Sequence, residues 1–124
     1  MPLPVLAAIV ASVLLSALAQ IALKAGMTRP AVTDALAAGA PGPIALAVGT
    51  EPLVLAGLAL YGFGMLIWLF VLSRIDVSLA YPFVSLGIVV TMGLGYLVFG
   101  EVVSVTRALG GALIIGGILV LAAG

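Results

Sequence analysis

PLVLAGLALYGFGMLIWLFVLS, residues 52–73, runs through 22 positions without a charged side chain. A transmembrane helix needs about 20 mostly apolar residues. Inside a bilayer every backbone N–H and C=O must be satisfied within the segment, and a helix does this at once. Three more stretches read the same way: about Leu3 to Ala25, Ser78 to Phe99 and Val103 to Ala123. Lys24, Arg29, Asp34, Glu51, Arg74, Asp76, Glu101 and Arg107 all fall at the edges of these spans or between them. The expected fold is an all-α integral membrane protein with four transmembrane helices in a single domain, residues 1–124.

Composition supports this reading. The chain is 65% hydrophobic and 6% charged, against roughly 25% charged residues in a soluble domain. So few charges cannot coat a water-soluble fold, but they suffice to mark helix ends. The formal net charge is zero, which argues against nucleic acid as a partner. Cysteine and histidine are both absent, so disulfides, thiolate chemistry and the usual zinc sites are excluded. Scarce carboxylates leave little for a hydrolytic enzyme. No metal, cofactor or catalytic residue is expected.

The link at Arg74–Val77 and the one at Gly100–Val102 are short, which makes consecutive helices antiparallel. Residues 26–51 differ, being rich in Ala, Gly and Pro. A helical turn or two over Asp34 to Ala40 is conceivable, with Pro41-Gly42-Pro43 breaking it; the stretch is read as a surface loop and not a fifth span. Ala17-Leu18-Ala19 resembles a signal-peptidase site, but no basic residue precedes the apolar run, and that run continues to Leu23. Basic residues are too evenly divided between the two ends to orient the chain.

Ser16, Gln20 and Lys24 are four apart and share one helical face. They read either as a snorkelling lysine above locally bonded polar groups or as a stripe facing a pathway. Tyr61, Met65, Trp68 and Leu72 share a face of the second span. Packing or an interfacial belt is one account; a substrate-facing role is the other, since Tyr61 and Trp68 lie too deep for both to be belt residues. In the third span Pro82 can kink the first turns, Ser85 follows, and Gly87, Thr91 and Gly95 form a small-residue groove. In the fourth, Ala108, Ala112 and Gly116 form a second small stripe, suited to pairing within or between subunits. Ser104 is a plausible N-cap, and Glu101 sits near that helix's positive end. No Asp or Glu lies inside any span, and a proton-coupled exporter of cations needs one there.

These residues carry a family resemblance over nearly the whole chain. Leu14-Leu15-Ser16 with Gln20 and Lys24, Val77-Ser78-Leu79-Ala80-Tyr81-Pro82 with Ser85-Leu86, Glu101-Val102-Val103-Ser104, and Gly111-Ala112-Leu113-Ile114-Ile115-Gly116-Gly117 resemble the small four-helix proteins of the drug/metabolite transporter superfamily (EamA-like and small multidrug resistance-like). The nearest likeness is to the paired subunits proposed to flip aminoarabinose-phospho-undecaprenol. The small multidrug resistance exporters look similar over the last two helices. Their defining helix-one glutamate is absent, however, and Ser16 stands in its place if the family lysine is aligned with Lys24.

The resemblance implies a half-transporter bundle in the bacterial inner membrane. It implies a homodimer or a heterodimer with a related small subunit, and an anionic lipid or lipid-linked sugar such as a polyprenyl phosphate as substrate. Phosphate would meet Lys24 first, then Arg107, with Arg74 more remote. Gln20, Ser16, Tyr81 and Ser85 would supply hydrogen bonds, and Tyr61 and Trp68 a stacking surface. The alternatives are a small multidrug or metabolite exporter, with Glu101 as its counter-charge, and a non-transporting partner subunit.

Overall fold

A computed structural model describes residues 2–124, and it is entirely helical in its regular structure. α1 (Leu3–Met27), α4 (Pro52–Leu72), α5 (Val77–Phe99) and α6 (Val105–Ala123) are long and apolar enough to cross a membrane. α2 (Pro30–Ala38) and α3 (Pro41–Gly49) lie between the first two of them.

The expected loop at 26–51 is therefore mostly helix. Pro30 and Pro41 each stand at the first position of a helix. There the missing N–H has no intrahelical partner to lose, and the fixed φ is already helical. Pro41 thus starts a helix as well as ending the previous segment. Gly39 separates the two at φ 77°, a left-handed conformation that glycine adopts without a Cβ clash. Arg29 Nε lies 3.6 Å from Glu51 Oε1, which ties the start of this excursion to its end.

α1 is the central element, packed along α4 and against α5, while α6 packs on α5. The α1–α4 seam is built from small residues at seven-residue intervals. Val5, Ser12, Ala19 and Gly26 are buried on α1; Gly57, Gly64 and Val71 are buried on α4. A seven-residue repeat keeps two helices in register along a left-handed crossing. The contacts run in opposite directions along the two chains. A Cβ added at Gly26 would lie 2.8 Å from the Val54 nitrogen, and one at Gly57 would lie 2.7 Å from Leu23 Cγ and 3.1 Å from the Ala19 carbonyl oxygen. Ser12 Oγ, itself buried, donates to the Gly64 carbonyl at 3.0 Å. Lipid tails are as apolar as leucine, so no hydrophobic force drives this pairing. Close van der Waals approach and interhelical hydrogen bonds hold it instead.

The remaining core gathers at the end holding the α4–α5 link, around Val5, Ile9, Val13, Val71, Ala80, Phe83 and Ile118. Ser104 caps α6, its Oγ accepting from the Arg107 backbone N–H at 3.2 Å. α6 turns Gly111 and Ile118 inward. Its Ala108–Ala112–Gly116 stripe is exposed and points outward among the described residues.

Candidate functional site

α4 and α5 are joined by a four-residue link, yet they scarcely touch along their lengths, because each leans on α1. The gap between them is a groove whose floor is α1. One part has a volume of about 260 Å³, with Ser12, Val13 and Ser16 as floor, Tyr61, Met65 and Trp68 as the α4 wall, and Tyr81, Val84 and Gly87 as the α5 wall. A second part of about 360 Å³ shares Ser16, Tyr61, Val84 and Gly87 with the first and extends to Gln20 and Thr91. Among the described residues no carboxylate lines either part.

The polar stripe of α1 therefore faces this groove, opposite the Gly87–Thr91–Gly95 stripe of α5. Gly87 approaches Val13, where a Cβ would stand 3.7 Å from Val13 Cγ1. Across the groove, the Gln20 side-chain amide donates to the Tyr61 hydroxyl at 3.1 Å. The phenol accepts there, which leaves its own hydrogen free to donate.

One turn beyond Gln20 and Thr91 the groove ends at an ion pair. The Lys24 ammonium contacts the Glu101 carboxylate, with both side chains roughly half exposed. Lys24 Nζ also stands 5.0 Å from the centroid of the Phe99 ring, within the range of a cation–π contact. Glu101 follows Gly100, which turns the chain out of α5 at φ 67°. Its carboxylate then folds back over Gly95, where any Cβ would strike it. Gly95 is thus a seat for a side chain as well as a packing position.

The structure brings together Ser16, Gln20, Tyr61, Trp68 and Tyr81 along the groove, with Lys24 and Glu101 at its end. It places the other candidates elsewhere. Ser85 faces α6, in a slot of about 160 Å³ with Pro82, Leu113, Ile114, Gly117, Ile118 and Leu121. Arg107 is exposed and reaches the Val102 carbonyl at 3.5 Å. Arg74 lies at the opposite end of the bundle, its guanidinium 5.2 Å from the Phe70 ring centroid.

Sequence reasoning missed Ser12, although its signal was present. Ser12 stands four residues before Ser16, so Ser12, Ser16, Gln20 and Lys24 form one continuous stripe. The Lys24–Glu101 contact had no local signal, since the two residues are 77 apart.

No family model matches this chain, and no solved structure matches it. Curated proteins do. One named "Probable 4-amino-4-deoxy-L-arabinose-phosphoundecaprenol flippase subunit ArnE", from Aeromonas hydrophila, is 39% identical over 70 residues, which is 56% of this chain and 61% of that protein. The protein of the same name from Pseudomonas syringae is 48% identical over 61 residues, 49% of this chain and 56% of that one. That from Proteus mirabilis is 35% identical over 68 residues, 55% and 60% of the two chains. The chain thus spans less than two thirds of the length of these relatives. The likeness read from the motifs has curated counterparts, and these three are each named as a flippase subunit.

Proposed function

We propose that this chain is one subunit of a flippase of the bacterial inner membrane, moving a polyprenyl-phosphate-linked sugar or related anionic lipid across the bilayer. One observation carries the reading: a groove lined by hydroxyl, amide and aromatic side chains runs between α4 and α5 to a lysine at its end. Such a groove suits a sugar head group, whose hydroxyls need donors and acceptors and whose ring face stacks on Trp68 or Tyr61. The lipid tail stays in the bilayer, reached through the open side between α4 and α5. The names of the relatives support the same reading, and favour a transport subunit over an enzyme.

α5 and α6 bury little of themselves within the chain. Four helices enclose no chamber large enough for a head group, and two related subunits facing each other do so in many transporters. The active unit is therefore a homodimer or a heterodimer with a related small subunit. The multidrug-exporter reading is disfavoured, because among the described residues no carboxylate lines either part of the groove.

The test is transport in liposomes. Purified chain, alone and with each candidate partner subunit, is reconstituted with a polyprenyl-phosphate-linked sugar, and head-group exposure on the opposite leaflet is followed with an impermeant reagent. Movement above that of protein-free liposomes is expected. If no combination moves any such lipid, the proposal is wrong.

A further inference from the structure

α3, the stretch Pro41-Gly42-Pro43-Ile44-Ala45-Leu46-Ala47-Val48-Gly49, has no polar side chain at all. A helix on an aqueous surface shows a polar face, and one that is apolar all round is buried in a core or in a membrane. Yet no residue of α3 is buried within this chain, and Leu46 is 69% exposed. α2 and α3 pack chiefly on each other, with smaller contacts from α2 to α1 and from α3 to α4. The charges of the excursion are kept off α3. Asp34 lies on α2, and Arg29, at its start, is paired with Glu51 where the chain enters α4. The threonines turn their hydroxyls back onto their own backbone. Thr28 Oγ1 donates to the Lys24 carbonyl at 3.0 Å, Thr33 Oγ1 to the Arg29 carbonyl at 3.2 Å and Thr50 Oγ1 to the Leu46 carbonyl at 2.7 Å. Hydroxyls satisfied in this way need nothing from their surroundings, which is what lipid demands.

We infer that α2 and α3 form an interfacial hairpin, with α3 embedded at the boundary of head groups and acyl chains and α2 on its aqueous side. The leaflet is the one at the Lys24–Glu101 end of the bundle. A nine-residue helix is about 13.5 Å long, less than half of the roughly 30 Å hydrocarbon core, so α3 cannot cross. Helices of this kind lie in the membrane plane with their apolar side about 5–10 Å deep. Both roots of the hairpin are fixed at that level, because α1 ends at Met27, α4 begins at Pro52, and each is long and apolar enough to span. The occupant of the exposed surface is lipid, since apolar exposure continues from Leu46 on α3 to Leu55 and Leu58 on the opening turns of α4, each at least half exposed. The hairpin is thus an anchor that sets the depth at which α1 ends, and with it the level of Lys24 at the end of the groove. It does so whatever the groove carries.

The depth of single nitroxide labels tests this. The chain has no cysteine, so Leu46→Cys, Ala45→Cys and Asp34→Cys each carry one label at a known place. The full chain is placed in phosphatidylcholine nanodiscs. Electron paramagnetic resonance then measures each label's access to molecular oxygen, which concentrates in hydrocarbon, and to a water-soluble nickel chelate. Labels at 45 and 46 are expected to meet oxygen severalfold more readily than nickel, and the label at 34 to show the reverse. Helicity checks the fold of each variant, and Ala45→Cys carries the test if Leu46→Cys does not fold. Nickel access at 46 equal to that at 34 makes the segment an aqueous loop and overturns the inference. A label at 46 that neither reagent reaches overturns it too, because protein then covers α3. So does a label at 34 as deep as that at 46, which would place the whole hairpin inside the hydrocarbon.

Discussion

Gln20 on α1 donates its side-chain amide to the Tyr61 hydroxyl on α4 across 3.1 Å, and the two residues line the same groove. The bond fixes the phenol's orientation and so fixes where its own hydrogen points. Tyr61→Phe keeps the ring but removes both the acceptor for Gln20 and the donor toward the groove. Transport by Tyr61→Phe and by Gln20→Leu is expected to fall about three- to tenfold each, as for loss of one hydrogen bond within the bilayer. The double variant should fall no further than the worse single one. Additive losses in the liposome assay would show that the two residues do not act as a unit.

The α1–α4 seam predicts a sharp contrast between two glycines of one helix. A Cβ at Gly57 overlaps Leu23 and presses on the Ala19 carbonyl, whereas at Gly62 it meets nothing within 4 Å. Gly57→Ala is expected to destabilise the fold by about 1–3 kcal/mol, as overpacking does. Gly62→Ala should be neutral. Thermal unfolding in detergent, followed by helicity, distinguishes them, and equal stability of the two variants would contradict the seam.

Ser12 and Ser16 stand one turn apart on the same stripe but do different work. Ser12 is buried and donates to the Gly64 carbonyl; Ser16 is half-buried and lines both parts of the groove. Ser12→Ala is expected to lower stability by about 0.6 kcal/mol, and by no more than about 1.7. Ser16→Ala should leave stability alone and slow transport. The same unfolding and liposome measurements check this, and an inverted pattern would refute the assignment.

Gly95 lies under the Glu101 carboxylate, the mobile end of a flexible side chain. Gly95→Ala is therefore expected to shift that carboxylate and to cost no more than an exposed ion pair is worth, about 0.2–1 kcal/mol. Thermal unfolding in detergent, followed by helicity, checks this. Gly93→Ala, where a Cβ has open space, should be as stable as wild type. A much larger loss in Gly95→Ala would show that the Glu101 carboxylate cannot move aside.

Much of this architecture is legible along the chain. Apolar runs of about 20 residues, with charges kept to their ends, define the four spans, because the bilayer excludes ions and demands helical backbone. Four-residue spacing puts Ser16, Gln20 and Lys24 on one face whatever that face meets. Ser104 announces the start of α6 by its own hydroxyl. The two prolines of the 26–51 segment were harder to read, since a proline that ends one helix is equally suited to begin the next.

What only the tertiary structure decided is which faces meet. Small residues at seven-residue intervals let α1 approach α4 closely, and that approach brings Gln20 to Tyr61 and leaves α5 standing off to open the groove. The same packing turns Ser85 toward α6, away from the groove. It also carries Glu101 back over Gly95 to Lys24. Periodicity fixes neighbours within one helix, where the rise and turn are constant. Partners between helices depend on steric fit along whole interfaces, a property of pairs of segments and not of either one.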